Sequence, residues 1–336
     1  MTVQTLDGLT IAGIYSCLPS RREDNLERCR VLYGDERKAA SVVAATGIRC
    51  RRVAGPDVSS LDLCVGAARR LLEDVAVTKS EIGAVVCVTF TPERIMPCNA
   101  CQAQHRLGLP KDLMAFDLNL ACSGWVYGLY VAGLVARAAG RKVLLLDGDV
   151  QTRHLDADDG ATVPVLADAG TATLLSPTTG GAPWQFAFLS DGAKGDALTL
   201  PFGGQIAMDG LGVFKFVTVD VLRFVGDFMA ATGESPAAID AFVPHQANVY
   251  MIRQMAKKLG FPPEKLWVSG DRFGNASSAT VPTTIACCGA ERPAPAGGRR
   301  LLVAGFGGGL SGAVGRIGLP STCALKVFDD GATREG

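Results

Sequence analysis

Three side chains in this sequence have types and surroundings suited to covalent chemistry: Cys122, His245 and Asn275. Cys122 lies in Phe116-Asp117-Leu118-Asn119-Leu120-Ala121-Cys122-Ser123-Gly124-Trp125. The pattern reads as a short strand, a tight turn and a helix that starts at the cysteine. A helix N-terminus presents unpaired N–H groups and partial positive charge, which favour the thiolate. Ala121, Ser123 and Gly124 are small enough to admit a substrate to the sulfur. A thiol so placed can form a thioester. The chain has eleven cysteines, and most cysteines are inert small hydrophobes. Cys122 is distinguished by its companions.

Only three histidines occur, His105, His154 and His245. His245 follows the apolar run Ile239 to Val243 and Pro244, and a helical stretch from Ala247 to Leu259 comes after it. It therefore sits at a strand-to-helix junction, and open α/β sheets collect ligands at the carboxyl ends of their strands. Asn275 follows Gly274 and precedes a small-residue helix; alone, Gly-Asn reads as a turn. The run Gly305-Phe306-Gly307-Gly308-Gly309-Leu310-Ser311-Gly312 follows the apolar strand Leu301 to Ala304. Its glycines let backbone N–H groups approach a ligand.

These four junctions need a frame of strands and helices. In the first half, strands are expected at Gly83 to Phe90, Met114 to Leu118, Lys142 to Leu146 and Thr171 to Leu175. Helices fit at Leu61 to Ala76, Pro97 to Leu107 and Cys122 to Ala139. In the second half, strands are expected at Ile239 to Val243, Leu266 to Val268 and Leu301 to Ala304. Its helices are Val213 to Thr232, Ala247 to Leu259 and Ala276 to Gly289. Alternation of this kind implies α/β architecture with parallel sheets covered on both faces. The turn-rich segment Ser176 to Pro183 divides the chain into residues 1–178, carrying the cysteine, and 179–320, carrying His245 and Asn275. Residues 321–336 read as a polar tail that frays.

Composition narrows the function. The 336 residues are 48% hydrophobic, enough for a large core, and 33 basic residues balance 33 acidic ones. Neutrality argues against nucleic acid or an anionic membrane as partner. No apolar stretch reaches the ~18 residues of a membrane span, and Met1 to Leu9 lacks a secretory signal, so a cytoplasmic location is expected. The cysteines are expected to be reduced. Cys98-Asn99-Ala100-Cys101 lacks a second ligand pair for zinc, so no metal is expected. It reads as packing on one helix, as do Cys287 and Cys288.

In order and spacing, Ala121-Cys122-Ser123-Gly124, Asp168 to Ala172, Gly212-Val213-Phe214-Lys215, Pro244-His245-Gln246-Ala247-Asn248, Gly274-Asn275 and Phe306-Gly307-Gly308-Gly309 resemble the thiolase superfamily. The similarity is greatest to the ketoacyl-ACP synthase III group of condensing enzymes, over about residues 8 to 318. The resemblance implies a five-layer αβαβα sandwich of two pseudo-repeated halves, usually a homodimer. It implies that Cys122 holds an acyl group as a thioester, with the N–H groups of Cys122 and Gly308 as oxyanion hole. His245 and Asn275 would stabilise the enolate left when malonyl-ACP loses CO₂, and attack by that enolate would give a β-ketoacyl-ACP. No bound cofactor is implied; the phosphopantetheine of acyl-carrier protein (ACP) or CoA carries the substrate. Degradative thiolases need a cysteine in the C-terminal Gly-rich loop, absent at Gly309 to Ala313, and elongating synthases need a second histidine where Asn275 stands. Glu93 is a weak candidate for the glutamate base of hydroxymethylglutaryl-CoA synthase relatives.

Several positions depart from the family. Ser41 and Asp159 stand where relatives clamp the CoA adenine between an aromatic ring and an arginine. That loss favours an ACP-bound donor and a specialised pathway. Arg253, Lys257 and Lys258 form a cationic helix face suited to an acidic carrier, although Tyr250 replaces a family arginine. Phe306, Gly307, Met96 and Arg94 are the expected substrate-binding residues. Met96 replaces a bulky aromatic that closes the pocket from the partner subunit, and Arg94 could pair with a dicarboxylic acyl chain. Two other readings stay open: simple acyl transfer from Cys122 to a hydroxyl or amine with His245 as base, and a non-catalytic partner subunit.

Overall fold

The structure, a computed structural model, describes residues 1–333. Along the chain the strands are β1 (Gln4–Leu6), β2 (Leu9–Leu18), β3 (Arg22–Asp24), β4 (Cys50–Arg52), β5 (Ile82–Val88), β6 (Met114–Leu118), β7 (Lys142–Asp149) and β8 (Ala169–Pro177). They continue with β9 (Trp184–Ser190), β10 (Leu198–Thr199), β11 (Ala207–Met208), β12 (Ala241–Pro244), β13 (Arg299–Gly307), β14 (Ser311–Leu319) and β15 (Ala324–Asp329). Six form one sheet in the order β15-β2-β8-β7-β5-β6, and five a second in the order β1-β9-β14-β13-β12. β3 pairs with β4 and β10 with β11 as small ribbons.

The helices Gly124–Ala139 and Thr280–Ala290, one from each half of the chain, form the layer between the sheets. Trp125, Leu129, Val281 and Ile285 meet Ile14 and Val86 of the first sheet and Phe186 and Val303 of the second in one core. A helix buried on both sides needs apolar residues all round. Gly124 and Gly128 also let it lie against Val88, which an added Cβ would meet at 2.4 and 2.7 Å. The helices Ser60–Asp74 and Asn99–Arg106 cover the outer face of the first sheet, and Leu222–Thr232 and Val249–Lys258 that of the second. The five layers are therefore helix, sheet, helix, sheet, helix, the thiolase-like sandwich expected.

The sheets are mixed, which corrects the expectation of parallel ones. β5, β6 and β7 are mutually parallel, as are β12 and β13, but β8 runs antiparallel to β2 and β7 and β14 antiparallel to β9 and β13. The connections show why. β13 returns as β14 through three residues, too few for a crossover helix, and the longer β7–β8 connection forms no α-helix, only a short 3₁₀ turn. The frayed tail is also corrected: β15 adds to the first sheet beside β2, and Asp329 pairs with Arg52 at 2.8 Å. Conversely β1, at the N-terminus, belongs to the second sheet. Leu266 makes only an isolated bridge to Phe242, in place of the expected strand. The helix expected from Val213 begins at Gly210 and contains a π turn over Phe216–Val221.

Candidate active site

Cys122, His245 and Asn275 line one cavity of about 740 Å³, together with Phe306, Gly307 and Gly308. It opens where parallel strands β6, β12 and β13 end. Loops at the carboxyl ends of neighbouring strands converge there by topology alone.

Cys122 does not begin the long helix. It occupies a 3₁₀ turn, Ala121–Ser123, that leads into Gly124. Ala121 is left-handed at φ 41°, so the turn is strained in the way active-site elbows are. Gly307 lies directly against the sulfur: a Cβ there would be 2.7 Å from Cys122 Cβ and 3.1 Å from Sγ. The Ser311 hydroxyl donates to Gly308 O at 2.7 Å and lies 2.7 Å from Ser123 Oγ. This bridge fixes the Gly-rich loop to the nucleophile turn, leaving the Gly308 amide at the cavity.

The expected thiolate is corrected. Burial pushes the Cys122 thiol up to about 12, and the carboxylates of Asp149 and Asp147 add to the shift; only contact with Ser277 and the backbone opposes it. Desolvation outweighs the short helix-terminal field, so the resting sulfur carries its proton.

His245 continues from β12, its N–H donating to Ala304 O at 2.7 Å. Burial lowers its imidazole to about 3, so the ring is neutral. Phe306 packs edge-on against it with centroids 5.4 Å apart. Nδ1 is 2.7 Å from Thr280 Oγ1, which leaves Nε2 for the cavity. The Thr280 hydroxyl has one proton and two takers, His245 Nδ1 and Ser277 O at 2.8 Å. Ser277 O also accepts from the Thr280 amide, so when the hydroxyl proton turns to Nδ1 the ring N–H sits on Nε2, the tautomer that can donate into the cavity. Thr280→Val is therefore expected to lower malonyl decarboxylation about tenfold or more by releasing the tautomer, with Cys122 acylation unchanged. CO₂ release and adduct formation, measured separately, check this.

Asn275 is held on every polar group but one. Its N–H donates to Val165 O at 3.0 Å, its carbonyl accepts from Ala167 N at 2.8 Å and Gln151 Nε2 at 2.6 Å, and Oδ1 accepts from Ser277 N at 3.0 Å. The side-chain amide nitrogen is the donor left for the cavity. Gly274 is required at φ 80°, where a Cβ would strike Ala167 Cβ at 2.7 Å.

Other expectations fare differently. Met96 is 82% exposed and Arg94 is exposed; neither lines this cavity. Their loop leaves β5 and runs outward to the helix Asn99–Arg106, whose first amides are held by Asp117 at 2.7 and 2.8 Å. Glu93 faces Ser59 and Arg106, away from Cys122. Arg253, Lys257 and Lys258 are exposed on the helix Val249–Lys258, whose first turn, with Asn248 and Met251, lines the cavity. Ser41 is exposed, and Asp159 accepts from Ala161 N and Thr162 Oγ1, so neither lines the cavity. No cluster of metal-ligating side chains occurs among the described residues. The reading of the sequence missed the apolar wall built by Phe90, Leu198, Ile206, Met208 and Val217, because β10, β11 and the π turn carry weak periodic signals. It also missed Ser277 and Asp149 beneath the cysteine.

A cysteine and a histidine at strand ends, met by an asparagine from the turn after a short helix, within a five-layer sandwich define a thiolase-fold condensing enzyme. Sequence profiles agree: residues 116–192 match 3-oxoacyl-[acyl-carrier-protein] synthase III, and residues 229–317 match the C-terminal region of that family. A beta-ketoacyl-[acyl-carrier-protein] synthase III of Alkalilimnicola ehrlichii is 38% identical over 79% of this chain and 86% of its own length. A 3-oxopimeloyl-[acyl-carrier-protein] synthase of Brucella abortus is 30% identical over 90% of this chain and 96% of its own. The crystal structure of a 3-oxoacyl-(acyl-carrier protein) synthase from Burkholderia xenovorans superposes with a TM-score of 0.92 at 30% identity, covering 98% of this chain and 99% of that one. The chain belongs to the ketoacyl-ACP synthase III family and is an acyl-transferring condensing enzyme.

Proposed function

We propose that this enzyme loads an uncharged acyl primer from an acyl thioester onto Cys122 and condenses it with malonyl-ACP, giving a β-ketoacyl-ACP in a specialised pathway. The N–H groups of Cys122 and Gly308 hold the tetrahedral oxyanion. His245 Nε2–H and the Asn275 amide hold the enolate oxygen as CO₂ leaves, and the enolate carbon attacks the acyl carbonyl. Both donors are neutral, so they stabilise the oxygen without protonating the carbon. The phosphopantetheine of ACP or CoA arrives with the substrate, and no resident cofactor takes part.

One observation carries this reading: the three side chains share a cavity whose wall is largely apolar and, among the described residues, contains no Asp, Glu, Lys or Arg side chain. An acyl chain with a distal carboxylate would be desolvated there without a partner, so monocarboxylic primers are favoured over dicarboxylic ones. The neutral His245 also favours condensation over simple transfer. A base whose conjugate acid has a pKa of about 3 takes a hydroxyl proton poorly. The test combines intact-protein mass spectrometry with CO₂ release. Mono- and dicarboxylic acyl-CoAs and acyl-ACPs are offered, followed by malonyl-ACP. A Cys122 adduct from monocarboxylic donors, then CO₂ and a β-ketoacyl-ACP, is the expected result. An adduct that passes to a hydroxyl or amine acceptor without CO₂ supports transfer, and no adduct at all supports a non-catalytic subunit.

Carrier docking is assigned to Arg253, Lys257 and Lys258, exposed beyond the helix turn that lines the cavity. Reversing all three to Glu should raise the KM for malonyl-ACP about tenfold or more and leave that for malonyl-CoA nearly unchanged. Equal effects on both donors would move docking elsewhere. A homodimer in the cytoplasm completes the proposal. β6 is an open edge of the six-stranded sheet with Met114 55% exposed, and Ile95 and Met96 on the adjacent loop are each 82% exposed.

A further inference from the structure

Five polar side chains besides the cysteine line the cavity from buried positions: Thr46, Gln151, His245, Asn275 and Ser311. Four are accounted for. His245 and Asn275 are assigned to the enolate oxygen. The Thr46 hydroxyl donates to Val42 O at 3.0 Å and accepts from Ile48 N at 3.3 Å. Ser311 Oγ is held between Gly308 O and Ser123 Oγ. Gln151, 2% exposed, remains.

Gln151 opens the 3₁₀ turn Gln151–His154 that follows β7. Its Nε2 donates to Asn275 O at 2.6 Å and to Ala167 O at 2.9 Å. Turning the amide over would set its oxygen against those two carbonyl oxygens, so the orientation is fixed. Both amide protons are thus given to the backbone, and Oε1 meets no donor among the described residues. Oε1 is nevertheless not one of the sealed polar atoms without a partner. Its accessible surface therefore lies on the cavity, the space that this side chain lines. The backbone on either side is clamped. Val150 N donates to Thr91 Oγ1 at 3.0 Å, and Thr152 gives its N–H and its hydroxyl to Asp168 at 3.0 and 2.6 Å. The acceptor is preorganised and cannot swing away cheaply. The wall around it is apolar: Phe90 precedes Thr91, and Val165 and Leu166 precede Ala167.

We propose that Gln151 Oε1 accepts a hydrogen bond from a hydroxyl on the acyl primer, so that the enzyme takes hydroxyacyl groups in preference to plain alkyl ones of the same length. This deepens the reading of Cys122 as the primed residue and rests on it. A hydrocarbon chain that fills the cavity strips solvent from Oε1 and returns no hydrogen bond, and an acceptor buried without a partner is costly. A hydroxyl on the chain restores the bond. A site built to bond a substrate hydroxyl rejects the analogue lacking it far more strongly than an apolar pocket rejects an added hydroxyl. An amine would be cationic with no carboxylate on the wall to meet it, and an amide would bring a carbonyl that needs a second donor. The hydroxyl is the smallest uncharged donor. Gln151 is also a donor to Asn275 O, so one side chain anchors the enolate-holding turn and reads the primer.

The test measures the rate of Cys122 adduct formation from butyryl-CoA and from 2-, 3- and 4-hydroxybutyryl-CoA, in wild type and in Gln151→Met. In wild type at least one hydroxy isomer should react about tenfold or more faster than butyryl-CoA. In Gln151→Met, which keeps the length and removes the acceptor, that ratio should fall to about one or below. The ratio separates recognition from support. Loss of the bond to Asn275 O slows malonyl-ACP decarboxylation for every primer alike and leaves the ratio unmoved. All four thioesters carry the same CoA, so a contact between Oε1 and the carrier arm would make the variant slow with all of them equally and would overturn the inference. So would a wild type that prefers butyryl-CoA or does not discriminate, or a preference that survives in Gln151→Met. If Gln151→Met does not fold, Gln151→Asn decides: it keeps the amide but draws the oxygen back by one methylene, and should lower the ratio at least about threefold. A wild type that forms no adduct with any of the four would instead overturn the assignment of Cys122.

Discussion

Gly307→Ala should slow acylation of Cys122 by about 10²-fold while leaving the fold in place. The added methyl meets no backbone penalty, since Gly307 ends β13 outside the left-handed region. The conflict is contact alone, 2.7 Å to Cys122 Cβ and 3.1 Å to Sγ. Neither side can give cheaply. Cys122 sits on a strained turn leading into the central helix, and the neighbouring Gly305 is equally close, a Cβ there lying 2.9 Å from Ser123 Cα. Close-packed interiors pass such strain on, so the sulfur is pushed off the line of the oxyanion-hole amides by some tenths of an ångström. Overpacking of this kind costs about 1–3 kcal/mol of stability, which a domain of this size survives. The check is the rate of adduct formation by mass spectrometry beside a thermal melt. A folded variant that acylates at the wild-type rate would show that the glycine is only packing.

His245→Ala and Asn275→Ala should each lower decarboxylation of malonyl-ACP by about 10²–10³-fold, with Cys122 acylation changed far less. The separation follows from the assignment of donors. The acyl oxyanion is served by backbone amides that neither substitution touches, whereas the enolate oxygen is served by these two side chains. The losses should be less than additive in the double variant, because one donor without the other leaves the oxygen half satisfied. Since His245 is neutral down to about pH 3, decarboxylation should show no step near pH 6.5 from this histidine. A step there, abolished by His245→Ala, would mean that the ring is charged in use and that the donor assignment is wrong. Equal losses in acylation and decarboxylation would mean that the substitutions damage the cavity as a whole.

Much of this site was legible in the residues. Element junctions announce themselves by apolar runs broken by Pro, Gly and Asn, and the junctions at Cys122, His245, Asn275 and Gly307 all end at one cavity. Side chains that must be small for a close approach, such as Gly124 and Gly307, were also visible. Met96 was placed by resemblance to a position that reaches a partner subunit's pocket, and Arg94 by its nearness to Met96; within one chain both stand on an exposed loop after Phe90. The terminal segments were misread because β15 is half-buried along its whole length and has no alternating pattern.

Local sequence determined which chemistry is on offer: a thiol, an imidazole and a loop of backbone donors at the carboxyl ends of strands, and an amide in the turn after a short helix. Tertiary structure decided their states. Protonation depends on how much water and charge surround a group, and those come from segments far away in the chain. Asp147 and Asp149 from β7, Ser277 from the second half and Thr280 from the central helix set the proton on Cys122 and the tautomer available to His245. The absence of charge from the cavity wall is likewise a sum over many segments, and only folding performs that sum.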